Sequence, residues 1–297
     1  MTAKIKRTHI FALVLATLCA AHSQRVQSKE SLLQETARQV EVQLEARVGL
    51  AVYDTESGSS WYYNADKRFP MTSTFKVLAC GMLLAKNDDG IEDINRLVLI
   101  EQSDLVSYSP VTENWLGKEV SLYQLCDATM RTSDNTAANK VLEALGGPAA
   151  VTAFIRSIGD DITRLDRWET NLNQATPGDV RDTTTPAAMA TSLKQLLLGD
   201  LLSSSAKETL AGWLVSNEVG GPLLRSGLPE DWIIGDRTGA GGHGSRGVVA
   251  VIWPTQRAPA IASVYITQTE ASIEQRNAAI ASIGKALAAT VRNGDGD

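Results

Sequence analysis

Strand-forming segments lie at the two ends of this 297-residue chain, and helical periodicity fills its middle. Near the start, residues 48–54 and 60–64 are rich in β-branched and aromatic side chains and are separated by turn-forming residues, as in a hairpin. Near the end, residues 232–237, 247–253 and 261–268 are three further strand candidates. A sheet assembled from both ends around a helical middle predicts an α+β architecture.

The middle of the chain repeats apolar residues at helical spacing. One periodic face begins at Phe75, and similar runs cover residues 122–131, 136–145 and 186–198. Two more helices are predicted near the ends, over residues 29–44 and 272–292. We expect a discontinuous sheet lobe formed by residues 24–66 and 216–297 and a helical lobe formed by residues 67–215, with the site in the cleft between them.

The first 23 residues have the features of a secretory signal peptide. Lys4, Lys6 and Arg7 precede an apolar run over residues 10–18, and small residues follow. We predict cleavage after Ser23 and a mature protein secreted to the periplasm; a lipoprotein centred on Cys19 is the alternative. The apolar run is too short to span a bilayer, so no membrane association is expected after cleavage.

Charge, cysteine and histidine usage exclude several function classes. The formal net charge of −6 argues against nucleic acid as a partner, and we expect a monomer that acts on a small molecule. Loss of the leader would leave Cys80 and Cys126 in an oxidising compartment, where we predict one disulfide; two buried free thiols are the alternative. His243 would be the one histidine left, which excludes a zinc site of several imidazoles and makes Lys or Glu the expected base.

A serine followed three residues later by a lysine occurs at three places, so this pattern alone decides nothing. Ser73 and Lys76 share a face at the start of a strongly periodic helix, where the free N–H groups and the helix dipole favour negative charge. That setting suits a nucleophile. The pairs that begin at Ser204 and Ser282 are interpreted as capping serines with surface lysines, and the same interpretation is the alternative for Ser73.

Three other segments carry polar patterns. Ser133 begins the chain's one Ser-Asp-Asn sequence, which by itself is most often a helix cap or turn. Arg237 begins Arg-Thr-Gly at the end of a strand candidate, whereas Arg225 begins Arg-Ser-Gly without a convincing strand context. Residues 164–182 are highly charged and have no apolar period, which is typical of a functional loop or of a solvated surface loop.

Taken in order, these motifs resemble the complete motif set of class A serine β-lactamases. The resemblance covers essentially the whole mature chain and implies the fold of serine β-lactamases and DD-peptidases, an antiparallel five-stranded sheet flanked by helices plus an all-helical lobe. Arginine at position 237, where most members have lysine, is similar to the carbenicillin-hydrolysing branch. The motifs are Ser73-Thr74-Phe75-Lys76, Tyr108-Ser109-Pro110, Ser133-Asp134-Asn135, Arg167-Trp168-Glu169 with Leu172-Asn173, and Arg237-Thr238-Gly239.

The resemblance implies hydrolysis of the β-lactam amide of penicillins, including carbenicillin, without a cofactor or metal. Ser73 would be acylated, Lys76 and Ser133 would relay protons, and Glu169 would be the general base of deacylation. Whether Lys76 or Glu169 is the base of acylation stays open. A penicillin-binding DD-peptidase, which lacks a glutamate placed like Glu169, and a β-lactam sensor that acylates without hydrolysis are the alternatives.

The resemblance also assigns binding and structural roles. Arg167 and Asp182 would pin the loop that carries Glu169, and Cys80 and Cys126 are structural. Many members have a cis proline after the glutamate, so we expect a cis peptide bond to the residue at that place here, Thr170. Outside the motif frame, Arg246 and Tyr108 would be interpreted as a solvated charge and a rim aromatic. The implied substrate-binding residues are Tyr108, Asn135, Asn173, Val219, Arg237, Thr238, Ala240 and Arg246.

Overall fold

A five-stranded antiparallel sheet lies at the centre of the computed structural model, which describes residue 1 and residues 31–293. Over the described residues the strands are β1 Arg47–Asp54, β2 Ser60–Tyr63, β3 Phe69–Pro70, β4 Leu97–Leu99, β5 Glu119–Ser121, β6 Thr183–Thr184, β7 Ile233–Gly241, β8 Ser245–Trp253 and β9 Ala260–Thr267. The strands of the central sheet follow the order β2-β1-β9-β8-β7, so that both ends of the chain contribute to it. The predicted α+β class with a five-stranded antiparallel sheet is confirmed.

Helices cover both faces of this sheet, and for that reason every residue of β9 is buried. On one face, the first helix begins with a capping box in which Ser31 and Gln34 exchange side-chain and backbone hydrogen bonds. This helix and the last one pack side by side on the sheet. The helices are α1 Leu32–Gln43, α2 Lys76–Asp88, α3 Leu122–Thr132, α4 Asn135–Leu145, α5 Pro148–Ser157, α6 Pro186–Leu198, α7 Ser204–Val215 and α8 Ile273–Asn293.

Helix α2 lies at the centre of the layer on the other face. All of its side chains from Lys76 to Ala85 are buried, as expected of a helix that is surrounded on all sides. Cys80 of α2 is bonded to Cys126 of α3, with Cα atoms 5.8 Å apart. The predicted disulfide is therefore confirmed, and the alternative of two free thiols is wrong.

Strand β7 extends further than its sequence suggested. The prediction ended the strand at residue 237, but β7 continues to Gly241, and Gly239 pairs with Gly247 of β8. A Cβ atom at Gly239 would collide with the Thr72 hydroxyl and lie 2.9 Å from the Ser73 backbone nitrogen. The glycine, which resembled a strand end, instead lets β7 approach the turn before α2.

The loop over residues 164–182 contains local structure that its composition did not predict. A 3-10 turn, Asn171–Gln174, lies near its middle, and β6 follows the loop and pairs with β3. The peptide bond between Glu169 and Thr170 is cis, as expected. The two short pairs β3–β6 and β4–β5 were not predicted, because strands of two or three residues carry too few side chains to show a period.

No helix among residues 31–293 is both long enough and apolar enough to cross a membrane. Except for residue 1, the predicted signal peptide lies outside the described residues, as does residue 29, where the first helix was predicted to begin. That helix is described from Leu32, next to its Ser31 cap. The predicted boundaries of the two lobes stay predictions.

Candidate active site

Ser73 lies in a 3-10 turn, Thr72–Phe75, that leads directly into α2. The predicted position at the start of the helix is therefore nearly right, with a 3-10 turn in place of the first α-helical turn. Ser73 is 7% exposed. Because the N–H groups at a helix start have no intrahelical partner, the backbone there favours negative charge close to the Ser73 hydroxyl.

Four oxygen atoms surround the ammonium of Lys76, whose side chain is fully buried. Its Nζ donates to the Ser133 carbonyl at 2.9 Å, to Ser133 Oγ at 3.2 Å and to Asn135 Oδ1 at 2.7 Å. Glu169 Oε1 lies 3.1 Å away and forms an ion pair with it. A buried ammonium is tolerated only with such partners, because it has lost its hydration.

The corner between α3 and α4 places two of these partners. Ser133 is the C-cap of α3 and adopts a left-handed conformation with φ 68°, and Asp134 caps the start of α4. The Asp134 carboxylate accepts from the backbone N–H groups of Thr112 and Ala137 at 2.9 and 2.8 Å. Asp134 thus has the capping role that the sequence favoured. By fixing this corner it directs Ser133 and Asn135 toward the buried lysine.

Burial lowers the pKa of Lys76 from 10.5 to about 8, because the ammonium is desolvated. The nearby Glu169 carboxylate opposes this change by favouring the charged form, and the Arg237 guanidinium adds to the lowering. A substantial fraction of Lys76 is therefore neutral near pH 8. A group with such a pKa can both accept and return a proton under physiological conditions.

Glu169 connects Ser73 to Lys76. Its Oε1 lies 3.4 Å from Ser73 Oγ and 3.1 Å from Lys76 Nζ, and its Oε2 accepts from Asn173 Nδ2 at 2.5 Å. Its backbone is held by Asn139, whose side-chain amide exchanges two hydrogen bonds of 2.9 Å with the Glu169 N–H and carbonyl. Ser73, Lys76 and Glu169 therefore form one buried hydrogen-bonded cluster.

The loop that carries Glu169 is tied at its base by a buried carboxylate. Asp182, 1% exposed, accepts from Arg167 Nε at 2.5 Å and from the backbone N–H groups of Arg167 and Asp166 at 2.9 and 2.7 Å. Arg167 Nη1 also donates to Gln174 Oε1 at 2.8 Å. These charge-assisted bonds close the two ends of the loop on each other.

Arg237 is fully buried in β7 next to the turn that holds Ser73. Its Nη1 donates to the Met130 carbonyl at 3.0 Å and its Nε to the Ser73 carbonyl at 3.4 Å, but its Nη2 has no partner. Burial lowers the pKa of Arg237 to about 10, so the guanidinium stays charged at neutral pH. A buried charged donor without a partner is unusual and favours the binding of an anion.

Arg246 of β8 is a second fixed cation beside the same end of β7. Its Nη1 donates to the Gly239 carbonyl at 3.1 Å and its Nε to Asn277 Oδ1 at 2.9 Å. Burial, reinforced by the Arg276 charge, lowers the pKa of Arg246 to about 10. The side chain is therefore held in place on the strand, and a freely solvated charge is not what the structure contains.

The other residues assigned to substrate binding lie around this cluster. Tyr108 is 57% exposed with φ 62°, and its carbonyl accepts from the Asn135 N–H at 3.0 Å. Thr238 is buried in β7, whereas Ala240 is exposed near its end. The Val219 N–H donates to an asparagine side chain at 3.1 Å.

Three asparagines that support the site were missed by sequence reasoning. Asn139 holds the Glu169 backbone, Asn277 holds Arg246, and Asn217 accepts from Arg237 Nη1 at 3.4 Å. A local signal existed for Asn139 alone, because it lies one helical turn after Asn135 on α4 and so shares its face. The other two contacts join residues distant in sequence, which no local pattern can reveal.

A serine at a helix start that shares a buried cluster with a lysine and a glutamate, beside two strand arginines, defines a class of enzyme. The arrangement is typical of a serine hydrolase that works through an acyl-enzyme. The Arg225 motif is not a second such site. Arg225 donates to the buried Asp236 carboxylate at 2.7 Å and so has a structural role.

Comparison with known proteins agrees with this class. The model of the β-lactamase enzyme family matches residues 32–291. β-Lactamase PSE-4 of Pseudomonas aeruginosa is 48% identical over 277 residues, which are 93% of this chain and 95% of the relative. β-Lactamase AER-1 of Aeromonas hydrophila is 48% identical over 285 residues, 96% of this chain and 89% of the relative.

Solved structures give the same result. An ancestral class A β-lactamase is 51% identical with a TM-score of 0.86, covering 87% of this chain and 99% of that structure. The chromosome-encoded β-lactamase of Vibrio parahaemolyticus is 44% identical with a TM-score of 0.84, covering 86% and 97%. The chain therefore belongs to the β-lactamase enzyme family.

Within that family it is a class A serine β-lactamase of the branch with Arg-Thr-Gly on β7, and it hydrolyses β-lactams. The resemblance drawn from the motifs is confirmed. The DD-peptidase and the non-hydrolysing sensor gain no support from these relatives.

Proposed function

We propose that this enzyme hydrolyses penicillins, including carbenicillin, through an acyl-enzyme on Ser73, and thereby confers resistance to them. The buried cluster of Ser73, Lys76 and Glu169 carries this proposal, because it joins a nucleophile to two proton acceptors. The arginine at position 237, shared with the carbenicillin-hydrolysing branch, supports the choice of substrate.

In acylation, Ser73 Oγ attacks the β-lactam carbonyl carbon and its proton passes to the Lys76–Glu169 pair. The tetrahedral intermediate then collapses, the carbon–nitrogen bond breaks, and the ring nitrogen receives a proton from the Ser133 hydroxyl. Lys76 can return a proton to Ser133, whose Oγ lies 3.2 Å from Nζ. The lowered pKa of Lys76 supports this relay, since a group near pKa 8 exchanges protons in both directions.

The oxyanion of the tetrahedral intermediate would be received by the backbone N–H groups of Ser73 and Ala240. The close approach of β7 to the Ser73 turn, which Gly239 permits, brings these two backbone segments together. Donors placed in this way typically contribute about 3 to 4 kcal/mol each.

In deacylation, Glu169 takes a proton from water, whose oxygen attacks the ester carbonyl and releases Ser73. Asn173 supports this role, because its amide donates to Glu169 Oε2 and orients the carboxylate. Asn139 fixes the backbone of the same residue, and the Arg167–Asp182 pair holds the loop closed.

The substrate carboxylate would bind to Arg237 and Arg246, with hydroxyls from Thr238 and Ser133. The partnerless Nη2 of Arg237 supports this assignment, because a carboxylate would satisfy it. We further assign the acylamide of the substrate to Asn135, a cleft wall to Tyr108, and a bridging water to the Val219 carbonyl.

We also propose that residues 1–23 are removed on export and that the mature enzyme is a periplasmic monomer. Basic residues before an apolar run in the leader support this localisation. Its organisation would be a sheet lobe of residues 24–66 and 216–297 and a helical lobe of residues 67–215.

Steady-state hydrolysis of benzylpenicillin, carbenicillin and an oxyimino-cephalosporin by the purified mature protein tests the proposal. We expect rapid turnover of both penicillins, and no turnover by the Ser73→Ala variant. A wild-type enzyme that is acylated by penicillins but does not release them would contradict the proposal, as would full activity of Ser73→Ala.

A further inference from the structure

A cavity of about 190 Å³ lies between the base of the Glu169 loop and the segment that leads into β3. One wall carries three cationic residues, Arg47, Lys67 and Arg68. The opposite wall is the second half of the loop, from Ala175 to Val180. None of these residues belongs to the acylation and deacylation machinery assigned above.

The two arginines are fixed by neutral acceptors. Arg47 Nη2 donates to the Arg68 carbonyl at 3.3 Å, and its guanidinium lies 4.9 Å from the centre of the Phe69 ring. Arg68 Nη1 donates to the Ile162 carbonyl at 2.9 Å and to Thr183 Oγ1 at 3.0 Å. Across residues 31–293, no ion pair with a carboxylate involves either guanidinium, so both are held in place with their charge uncompensated.

The third cation adds to this charge. Lys67 pairs with Asp66 at 3.4 Å, but both side chains are more than half exposed, and such a pair is weak. The one carboxylate in the lining, Asp179, is already neutralised by Arg181 at 2.7 Å. That arginine lowers the pKa of Asp179 to about 2. The cavity therefore concentrates positive charge in a chain whose net charge is −6.

We propose that this cavity binds a small tetrahedral oxyanion, inorganic phosphate or sulfate. Its volume suits such an ion with a few waters, since a water occupies about 30 Å³ of liquid. Two fixed guanidinium groups and an exposed ammonium are donors of the kind that recognise an oxyanion. A bound ion would bridge the basic wall to residues 175–180 and so reinforce the base of the loop.

Phosphate titrations of the ¹⁵N-labelled protein, with chloride adjusted to keep the ionic strength constant, test the site. We expect saturable shifts, in the millimolar range, of the backbone amides of residues 67–68, 176 and 178–180. Lys67→Glu should weaken phosphate binding about threefold to tenfold, because an exposed charge is reversed at the rim. Lys207→Glu, the same change on α7 away from the cavity, should leave it unaltered.

The cleft arginines could also attract phosphate, and the amide map separates the two places. Shifts confined to residues around Arg237 and Arg246, or equal affinity in the Lys67→Glu and Lys207→Glu variants, would overturn the proposal. Sedimentation with phosphatidylcholine vesicles containing phosphatidylglycerol distinguishes a free ion from a lipid phosphate. We expect no sedimentation; sedimentation that Lys67→Glu abolishes, without a response to free phosphate, would also overturn it.

Discussion

Lys76 and Arg237 are both fully buried cations on the same cleft, yet their surroundings differ. The Lys76 ammonium is enclosed by four oxygens, one of them from a carboxylate. The Arg237 guanidinium is bonded only to neutral oxygens, and one of its nitrogens has no partner. The hydrogen-bonding capacity of the Lys76 ammonium is therefore used within the protein, whereas Arg237 keeps one donor free.

The pKa values of Lys76 and Arg237 also differ. Burial lowers the pKa of Lys76 to about 8 and that of Arg237 to about 10. The lysine can therefore change its charge during a reaction near neutral pH, and the arginine cannot. One buried cation suits proton transfer and the other suits recognition of a charge that does not change. The following experiments test that division.

Among these changes, removal of Glu169, the carboxylate partner of Lys76, should have the largest effect on turnover. In Glu169→Ala, deacylation loses a general base that typically contributes 10² to 10⁴-fold, while Lys76 can still support acylation. A penicilloyl-enzyme should accumulate, and intact-protein mass spectrometry should show one added penicillin mass. Wild-type turnover without an adduct would show that another group activates the hydrolytic water.

The position of that adduct identifies the nucleophile. Peptide mapping should place it on Ser73 and on neither Ser204 nor Ser282, the serines of the other two Ser-x-x-Lys patterns. The double variant that also carries Ser73→Ala should show no adduct. Modification at either of the other serines would mean that the wrong motif was chosen.

Loss of Arg237 should have the next largest effect. Arg237→Ala removes charge-assisted bonds to the substrate carboxylate worth about 1.5 to 3 kcal/mol, so kcat/KM for penicillins should fall about 10- to 150-fold. Lys207→Ala removes a cation on α7 away from the cleft and should leave the kinetics unchanged. Equal losses of kcat/KM in Arg237→Ala and Lys207→Ala would show that the overall charge of the protein matters, and not recognition of the substrate carboxylate by Arg237.

A smaller effect is expected on the pKa of Lys76 when the charge of Arg237 is removed. Because the Arg237 charge lowers the pKa of Lys76, Arg237→Gln should raise that pKa above about 8. The neutral amine exists above the pKa, so the rise of the acylation rate with pH should move to higher pH. NMR titration of ¹³C-labelled lysine gives the pKa directly. Glu169→Gln removes the opposing charge and should lower it; shifts of the same sign in both variants would exclude this electrostatic coupling.

The smallest effect is expected from a change that removes only one of the hydrogen bonds of Arg246. Asn277→Ala removes one of the two side-chain contacts that hold Arg246, while the bond to the Gly239 carbonyl remains. KM for penicillins should rise a few-fold with little change in kcat, as for a loss of uniform binding. A fall in kcat with constant KM would place Arg246 in the chemical step instead.

The parts of the fold that the sequence predicted are those with strong local signals. The five main strands and six of the eight α-helices described lie close to their predicted positions, because periodicity and turn residues mark them. Helices α5 and α7 were not predicted. The predicted end of β7 was wrong. Gly239 and Gly241 look like the end of a strand in the sequence, but in the structure they allow β7 to pass close to the turn at Thr72. Packing between distant segments decided that case.

The site shows the same limit. The motifs identified Ser73, Lys76, Ser133 and Glu169, and the structure brings these four residues into one cluster. Neither the support of Arg246 by Asn277 nor the free Nη2 of Arg237 could be predicted. Both depend on contacts between segments that only the folded chain brings together.

The pairing of β1 with β9 has a consequence for the order in which the molecule can be built. The two strands join the ends of the fold, and Thr55 donates to the Pro259 carbonyl across 204 residues. During synthesis the N-terminal hairpin therefore has no partner on its β9 side until almost the whole chain has been made. The five-stranded sheet of this topology can therefore be completed only when translation is nearly finished.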